Sequence, residues 1–463
     1  MPRNIVIYSD GTGQRGGVLF DERRSNIYKL YRATRCGPDC SVDPAEQYAF
    51  YDPGIGTSKG ARGLLGSAWD IVYNLVCRAT GLGLTGNMID CYAALVRNCR
   101  PDDRIFLFGF SRGAYTVRCL GAVIALCGIP TMDGDQPLKR DMKTSKRIAK
   151  EAVKRVYQHT HSRPHDKATP RQREQLEQRL ELAERFRRKH SSGDSSGANV
   201  YPHFIGVFDT VAAIGNMTLA TFVLGIAALA INFSVILGAA RWLGLDYGWP
   251  TLLVASILVV AALAYLGNVI YRIRWEIGLR HSKWWRPFHL LHWRMRFYDR
   301  TLNPRVRYAR HALAIDERRK DFNREPWGAH GDRPERPKDE PEWFQQIWFS
   351  GCHSDVGGSY LEEESRLSDI PLKWMLEAAE SVGLKYDPAV LRLYPDALGM
   401  QHDETRRIPF KLFAKIDREI PADAPLHETV IERFKAKEVL LYDLFGPYRP
   451  EGLRKHSATG GYY

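Results

Sequence analysis

The residues with the most chemical content are Gly109-Phe110-Ser111-Arg112-Gly113, a G-x-S-x-G pattern. The apolar run Arg104–Phe108, RIFLF, leads into it, and a helix-like segment follows to about Cys127. A serine on a tight strand-to-helix turn is lifted clear of the sheet with its hydroxyl ready to attack a carbonyl. Glycines are needed on either side because neighbouring side chains would clash in so tight a turn. The backbone N–H of Arg112, at the helix start, then becomes a donor for an oxyanion. Alone the pattern recurs by chance in many chains; the strand before it and the helix after it give it weight.

A serine nucleophile needs a base, and the base needs an orienting acid. On a strand–helix scaffold of this kind the chain order is Ser, acid, His. Phe204–Phe208 delivers Asp209 at a strand end in GVFDTV, and Ile347–Ser350 delivers His353 in the following loop, GCHSDVGG. Ser111, Asp209 and His353 therefore stand in the required order. Asp355, two residues from His353, is a competing acid; capping the next turn is the commoner role for such an Asp, so Asp209 is preferred. The other histidines lie mostly in basic or aromatic-rich stretches and read as solvated. The second oxyanion donor is expected after the first strand, in Asp10-Gly11-Thr12-Gly13, where Gly11 lets the backbone approach a substrate closely. Asp10 and Thr12 also suit a plain turn. No P-loop Lys-Ser/Thr accompanies these glycines, so phosphate cradling is disfavoured. The chemistry needs no metal or organic cofactor. Cys36 and Cys40 form a lone C-x3-C, which without a second ligand pair is a weak zinc signal. The other cysteines sit in apolar surroundings, and disulfides are not expected.

The elements that must position these residues alternate. Asn4–Tyr8 and Tyr48–Tyr51 read as strands with a helix over Asn26–Thr34 between them; 62–77 and 85–99 read as helices. Arg104–Phe108 is a continuous apolar strand, as at the buried centre of a parallel sheet, and His203–Phe208 and Gln346–Phe349 read as further buried strands. The expected fold class is α/β: an α/β-hydrolase-like, mostly parallel sheet flanked by helices, with a hydrophobic helical hairpin inserted. Residues 1–135 form the N-terminal part of that domain with the serine turn, and 136–200 a charged helical insertion ending in the linker SSGDSSG, Ser191–Gly197. Residues 201–216 carry the core strand with the acid, and 217–271 the hairpin. A basic aromatic segment (272–310), the C-terminal part of the core with the histidine (311–390) and a C-terminal extension (391–463) follow.

The chain of 463 residues carries 66 Lys and Arg against 53 Asp and Glu, and 44% hydrophobic residues, which excludes a disordered chain. The net charge of +13 is local: 136–200 holds 17 basic against 8 acidic residues, and 272–310 holds 11 against 2. The rest is slightly acidic, which argues against a nucleic-acid coat protein, and no nucleic-acid-binding motif is present. No secretory signal is visible at the N-terminus. Met217–Ala240 and Trp249–Tyr271 are uncharged and long enough for a bilayer core, which needs about 20 helical residues. Two buried core helices, or a hairpin dipping into one leaflet, are the alternatives. The aromatic and cationic stretch after Tyr271 places both hairpin ends on the cytoplasmic side. The expectation is a bacterial inner-membrane protein with a cytoplasmic catalytic domain and the bilayer as partner.

The motifs YSDGTGQ, YDPGIGT, GFSRGAYTVR, GVFDTV, WFSGCHSDVGGSY and LSDIPLKWM, in this order from about residue 4 to 385, resemble those of a bacterial and fungal family of α/β-hydrolase domains. Its best understood members are type VI secretion phospholipase effectors of the lipase family 1 kind. The resemblance implies hydrolysis of phospholipid acyl esters and maps Ser111, Asp209 and His353 onto the family's triad. The chain departs from the toxic effectors in being smaller and in lacking a large membrane-docking module after about residue 390. The expected function is a membrane-associated serine hydrolase of lipid or phospholipid acyl esters. The alternatives are an inactive hydrolase-fold membrane protein that binds a protein partner, and a secreted-toxin-type effector.

Overall fold

The computed structural model describes residues 2–11, 23–54, 82–160, 168–211, 217–244, 248–275, 279, 288–290, 300–329, 336–337, 339–406 and 414–463. The helix expected over 62–77 lies outside them. The chain divides into two compact units, one of 1–157, 183–213 and 299–463, the other of 158–182 and 214–298.

The first unit is built on six parallel strands: β1 (Asn4–Ser9), β2 (Gln47–Asp52), β3 (Arg104–Phe110), β4 (Phe204–Phe208), β5 (Tyr308–Ala314) and β6 (Phe344–Phe349). Their order across the sheet is β6-β5-β4-β3-β1-β2, and every pairing is parallel. This is the expected fold class. Strands β1, β4 and β5 are buried along their whole length. The near-continuous apolar runs of β1 and β4 follow from helices covering both faces of a parallel sheet. Val6, Tyr8, Phe106, Phe108, Phe204 and Phe208 pack on one face with Ile27 and Leu30 of α1 (Asn26–Thr34). Helices α2 (Leu82–Asn98) and α3 (Arg112–Cys127) also pack on the sheet strands.

Strand β5 was not among the expected strands. Its sequence, YARHALA, carries Arg310 and His311 in the middle, yet both are buried. The cost of burying them is offset by hydrogen bonds. Arg310 donates to the carbonyls of Ala309 and Glu342, and the His311 ring meets Gln346 and Thr210.

The segment Ser191–Gly197 is a built turn rather than a linker. Asp194 Oδ1 accepts from the backbone of Ser196 at 2.8 Å and of Gly197 at 3.2 Å, and the buried Ser192 hydroxyl donates to the Cys127 carbonyl at 2.5 Å. The described residues of 391–463 also contribute to the core. Val430, Phe434, Val439, Tyr448 and Leu453 form a second apolar cluster with Leu313, Ile315 and Trp348 of the β5–β6 edge. The Trp348 backbone exchanges hydrogen bonds with Pro425 and His427, so this segment covers an edge that would otherwise offer unpaired groups.

The second unit contains the helices Met217–Trp242 and Trp249–Arg272 and the short antiparallel pair Ile273–Trp275 and Phe288–Leu290. Among the described residues, no helix is long and apolar enough to cross a membrane. The transmembrane hairpin and the inner-membrane location expected from the sequence are therefore incorrect. An uncharged run in the sequence is not in itself a span.

Candidate active site

The carboxyl ends of the parallel strands deliver the candidate residues to one edge of the sheet, where ligands of open α/β sheets bind. Asp10 and Gly11 follow β1, Ser111 follows β3, Asp209 follows β4, and His353 follows β6 within the loop Ser350–Cys352 and the short helix α4 (His353–Gly357). Register fixes the neighbours. Phe110 lies beside Phe208, so Ser111 and Asp209 leave adjacent strands at the same level, and the Ser111 N–H donates to the Phe208 carbonyl at 3.1 Å.

Ser111 holds φ 57° and ψ −120° immediately before α3. A non-glycine residue in that region stores strain that the surrounding structure must enforce. The flanking glycines are what permits it. A Cβ on Gly113 would lie 2.0 Å from the Ser9 carbonyl oxygen, and one on Gly109 2.5 Å from the Gly113 carbonyl oxygen. Arg112 opens α3 directly behind Ser111, which places its N–H at the positive end of that helix.

His353 and Asp209 are both buried and in direct contact, with Nδ1 of the imidazole 2.5 Å from Asp209 Oδ2. The imidazole is gripped by aromatic rings: Phe110 stacks on it with centroids 4.6 Å apart, and Phe322 meets it edge-on at 5.2 Å. Phe110 is the neighbour of Ser111, so that stack brings imidazole and serine turn together. The His353 Nε2 atom is buried without a hydrogen-bond partner among the described residues. The His353 backbone N–H donates to Glu317 Oε2 at 3.2 Å.

Asp355 stands elsewhere. Its Oδ2 accepts the Cys352 N–H at 2.9 Å, closing the first turn of α4, and its Oδ1 lies 2.7 Å from His402 Nδ1. The structure thus pairs Asp209, not Asp355, with His353. His402 is buried, as are His159, His190, His311 and His456. The expectation that the remaining histidines are solvated fails for these five. Each has a polar partner for a ring nitrogen, which offsets the cost of burial.

Gly11 is in contact with the site, its missing side chain leaving room for Phe110 and Ser111, but its N–H donates to Asp10 Oδ1 at 2.7 Å. The other Asp10 oxygen accepts from Ser25 at 2.5 Å and Tyr51 at 2.6 Å. Burial pushes the Asp10 carboxyl up to about 6, with these three donors pulling the other way. Cys36 and Cys40 donate their thiols to the carbonyls of Gln47 and Ala33.

Two charged residues of the site were not anticipated. Arg418 is buried against Asp209, with Nη1 2.5 Å from Oδ1 and Nη2 2.9 Å from Oδ2. Burial alone would raise the Asp209 carboxyl; the Arg418 charge, with the His353 hydrogen bond, holds it well below the usual carboxylate range. Glu317 forms a second buried pair, with Arg319 at 2.7 Å. Burial again works against the Glu317 carboxylate, and the Arg319 hydrogen bonds prevail and lower it. Neither stands in a motif. Arg418 lies in an irregular segment, DREIP, and Glu317 in the charged run DERRKD, which reads as solvated surface.

Comparison with known proteins gives results of three kinds. An uncharacterised protein of Saccharomyces cerevisiae is 30% identical over 217 residues, which are 46% of this chain but only 27% of that protein. Among solved structures, an uncharacterised protein from Pseudomonas aeruginosa is 16% identical with a TM-score of 0.36, covering 85% of this chain and 48% of that one. A Tle1 effector bound to the VgrG spike of the type VI secretion system is 15% identical with a TM-score of 0.32, covering 86% of this chain and 77% of that one. The third kind is a family model, described as the catalytic domain of Tle1-like phospholipase effectors of type VI secretion, which matches residues 3–236 and 270–378. Secretion effectors are exported, which also stands against residence in an inner membrane. With most of its length covered by that model, the chain belongs to the family of Tle1-like type VI secretion phospholipase effector catalytic domains.

Proposed function

We propose that the chain is a serine hydrolase that cleaves acyl esters of phospholipids, with Ser111, His353 and Asp209 as its triad. The observation that carries the reading is the buried 2.5 Å contact between His353 Nδ1 and Asp209, one strand away from a serine on a strained strand-to-helix turn. Asp209 fixes the tautomer in which Nδ1 carries the proton and Nε2 is the base. Ser111 Oγ attacks the acyl carbonyl while Nε2 takes its proton. The same proton passes to the departing alcohol as the tetrahedral intermediate collapses. Water then enters by the mirror sequence and releases the fatty acid. The Arg112 N–H, at the start of α3, holds the oxyanion. Gly11 joins it once its N–H leaves Asp10 Oδ1, a bond already present in the free protein. Every group in this sequence belongs to the chain, so no metal or organic cofactor enters it.

The lipid substrate rests on the family. Work at a bilayer surface, by peripheral contact rather than a span, is supported by the second unit, where Trp242, Trp249, Leu258, Leu263 and Tyr265 are exposed. Exposed large apolar side chains of this kind are suited to contact with a lipid surface.

The test is labelling by a fluorophosphonate together with release of fatty acid from phospholipid vesicles. Ser111→Ala removes both signals and leaves the fold intact, since alanine takes the same backbone conformation. Fatty-acid release by the Ser111→Ala protein at the wild-type rate would end the triad reading.

A further inference from the structure

The Asp209 carboxylate has three kinds of partner. Oδ2 faces His353, Oδ1 accepts the Ala314 N–H at 3.1 Å, and both oxygens receive the guanidinium fork of Arg418. The fork is itself fixed, since Nη1 also donates to the Ala314 carbonyl at 2.9 Å and Nη2 to the Phe322 carbonyl at 2.7 Å. Phe322 is the residue whose ring meets His353 edge-on. Arg418 therefore touches three groups that define the imidazole's place: the carboxylate it bonds, the end of β5, and the backbone of the residue packed on its ring.

We infer that Arg418 is a positioning residue for His353, which both locks Asp209 and offsets its negative charge so that the imidazole faces a neutral pair. The inference rests on the triad reading above. A bare carboxylate beside an imidazole stabilises the imidazolium, and a base already carrying a proton cannot accept the serine proton. A carboxylate offset by a guanidinium keeps the hydrogen bond that sets the tautomer and exerts less of that pull. Among the described residues, the other charged or titratable groups that act on the pair are these. Glu317 and Arg319 offset one another at the His353 backbone. Arg324 and His311 act on Asp209 through space, with Glu419 beside Arg324. Among the described residues, Arg418 is the cation in direct contact with the acid.

The step that reads this out is phosphonylation. Ser111 Oγ bonds to phosphorus, fluoride leaves with its electron pair, and the serine proton passes to His353 Nε2. Its rate against pH reports both the geometry of the base, in the plateau, and its competition for protons, in the acid limb. The experiment measures this profile with a fluorophosphonate on the full-length chain, for the wild type, Arg418→Gln and Arg418→Lys. Arg418→Gln removes the charge, and its acid limb is expected to move to higher pH by about one unit, the low end of the effect of a close charge, with a lower plateau. Arg418→Lys keeps a charge but not the fork. It is expected to lower the plateau while leaving the acid limb where the wild type has it. A structural defect alone lowers plateaus and moves no limb. If Arg418→Gln keeps the wild-type acid limb, the inference is overturned. Should Arg418→Gln not fold, Arg418→Lys decides, and a wild-type plateau or a shifted acid limb in that variant overturns the inference. A wild-type chain that takes no label at all refutes the triad reading instead, so the two failures are distinguishable.

Discussion

Asp209 is the residue whose replacement separates the most alternatives. Asp209→Asn favours the wrong imidazole tautomer, and comparable triads lose about 10⁴-fold in kcat. It also leaves Arg418 buried without its counter-charge, and breaking one side of a buried ion pair costs about 3–5 kcal/mol. The variant is therefore expected to be both slow and less stable, in kinetics and in thermal unfolding. Asp355→Asn loses the close contact with His402 and weakens the first turn of α4. It is expected to cost on the order of 1–3 kcal/mol of stability and to change kcat far less than Asp209→Asn. Reversal of the two kinetic effects would move the acid to Asp355. Ser111 and Asp209 could be singled out in the sequence because each directly follows an apolar run that reads as a buried strand, and His353 because it stands in the loop after a further strand. Arg418 and Glu317 could not, because a side chain buried by ion pairing looks, in sequence, like one on the surface. The same blindness hid the five buried histidines.

Among the elements, the serine turn and the end of β2 carry the sharpest expectations. Gly113→Ala drives a Cβ to 2.0 Å from the Ser9 carbonyl, a backbone atom that cannot step aside. It is expected to lower the unfolding temperature markedly and to end fluorophosphonate labelling. A stable, labelled Gly113→Ala protein would mean that β1 and α3 lie farther apart than described. Asp52, at the end of β2, is buried and pushed up to about 7, while its Oδ2 accepts from Ser9 at 3.0 Å. A carboxyl with a folded-state value above its unfolded one favours the fold when protonated. That contribution is fully present below the unfolded value of about 4 and is lost as the pH rises through about 7. Asp52→Asn is therefore expected to be more stable than wild type at pH 8, and to lose most of that advantage by pH 5, at about 1.4 kcal/mol per pH unit. Thermal unfolding of both proteins at the two pH values checks it. The apolar strands were readable from pattern because burial on both faces leaves few polar residues. Strand β5 was not, because Arg310 and His311 satisfy their polar atoms inside the sheet and break the pattern that burial usually writes.

For the whole molecule, the sheet and every proposed triad residue lie in the first unit, and the two long apolar helices in the second. Replacing residues 217–272 by a short Gly/Ser linker is expected to leave fluorophosphonate labelling and cleavage of a small soluble ester unchanged, and to lower fatty-acid release from vesicles. Equal vesicle activity in the two proteins would deprive the exposed apolar helices of any part in reaching lipid. The helices themselves could be read from the sequence, but their role could not, since an uncharged run states only that charge is absent. In sequence the C-terminal stretch reads as an extension, yet it packs on the sheet edge and supplies Arg418. The Asp209–Arg418 pair spans 209 positions of the chain. During translation Ser111, Asp209 and His353 all leave the ribosome before Arg418 does. A nascent chain thus carries the acid before its cation, so the proposed positioning of His353 is complete only once Arg418 has emerged.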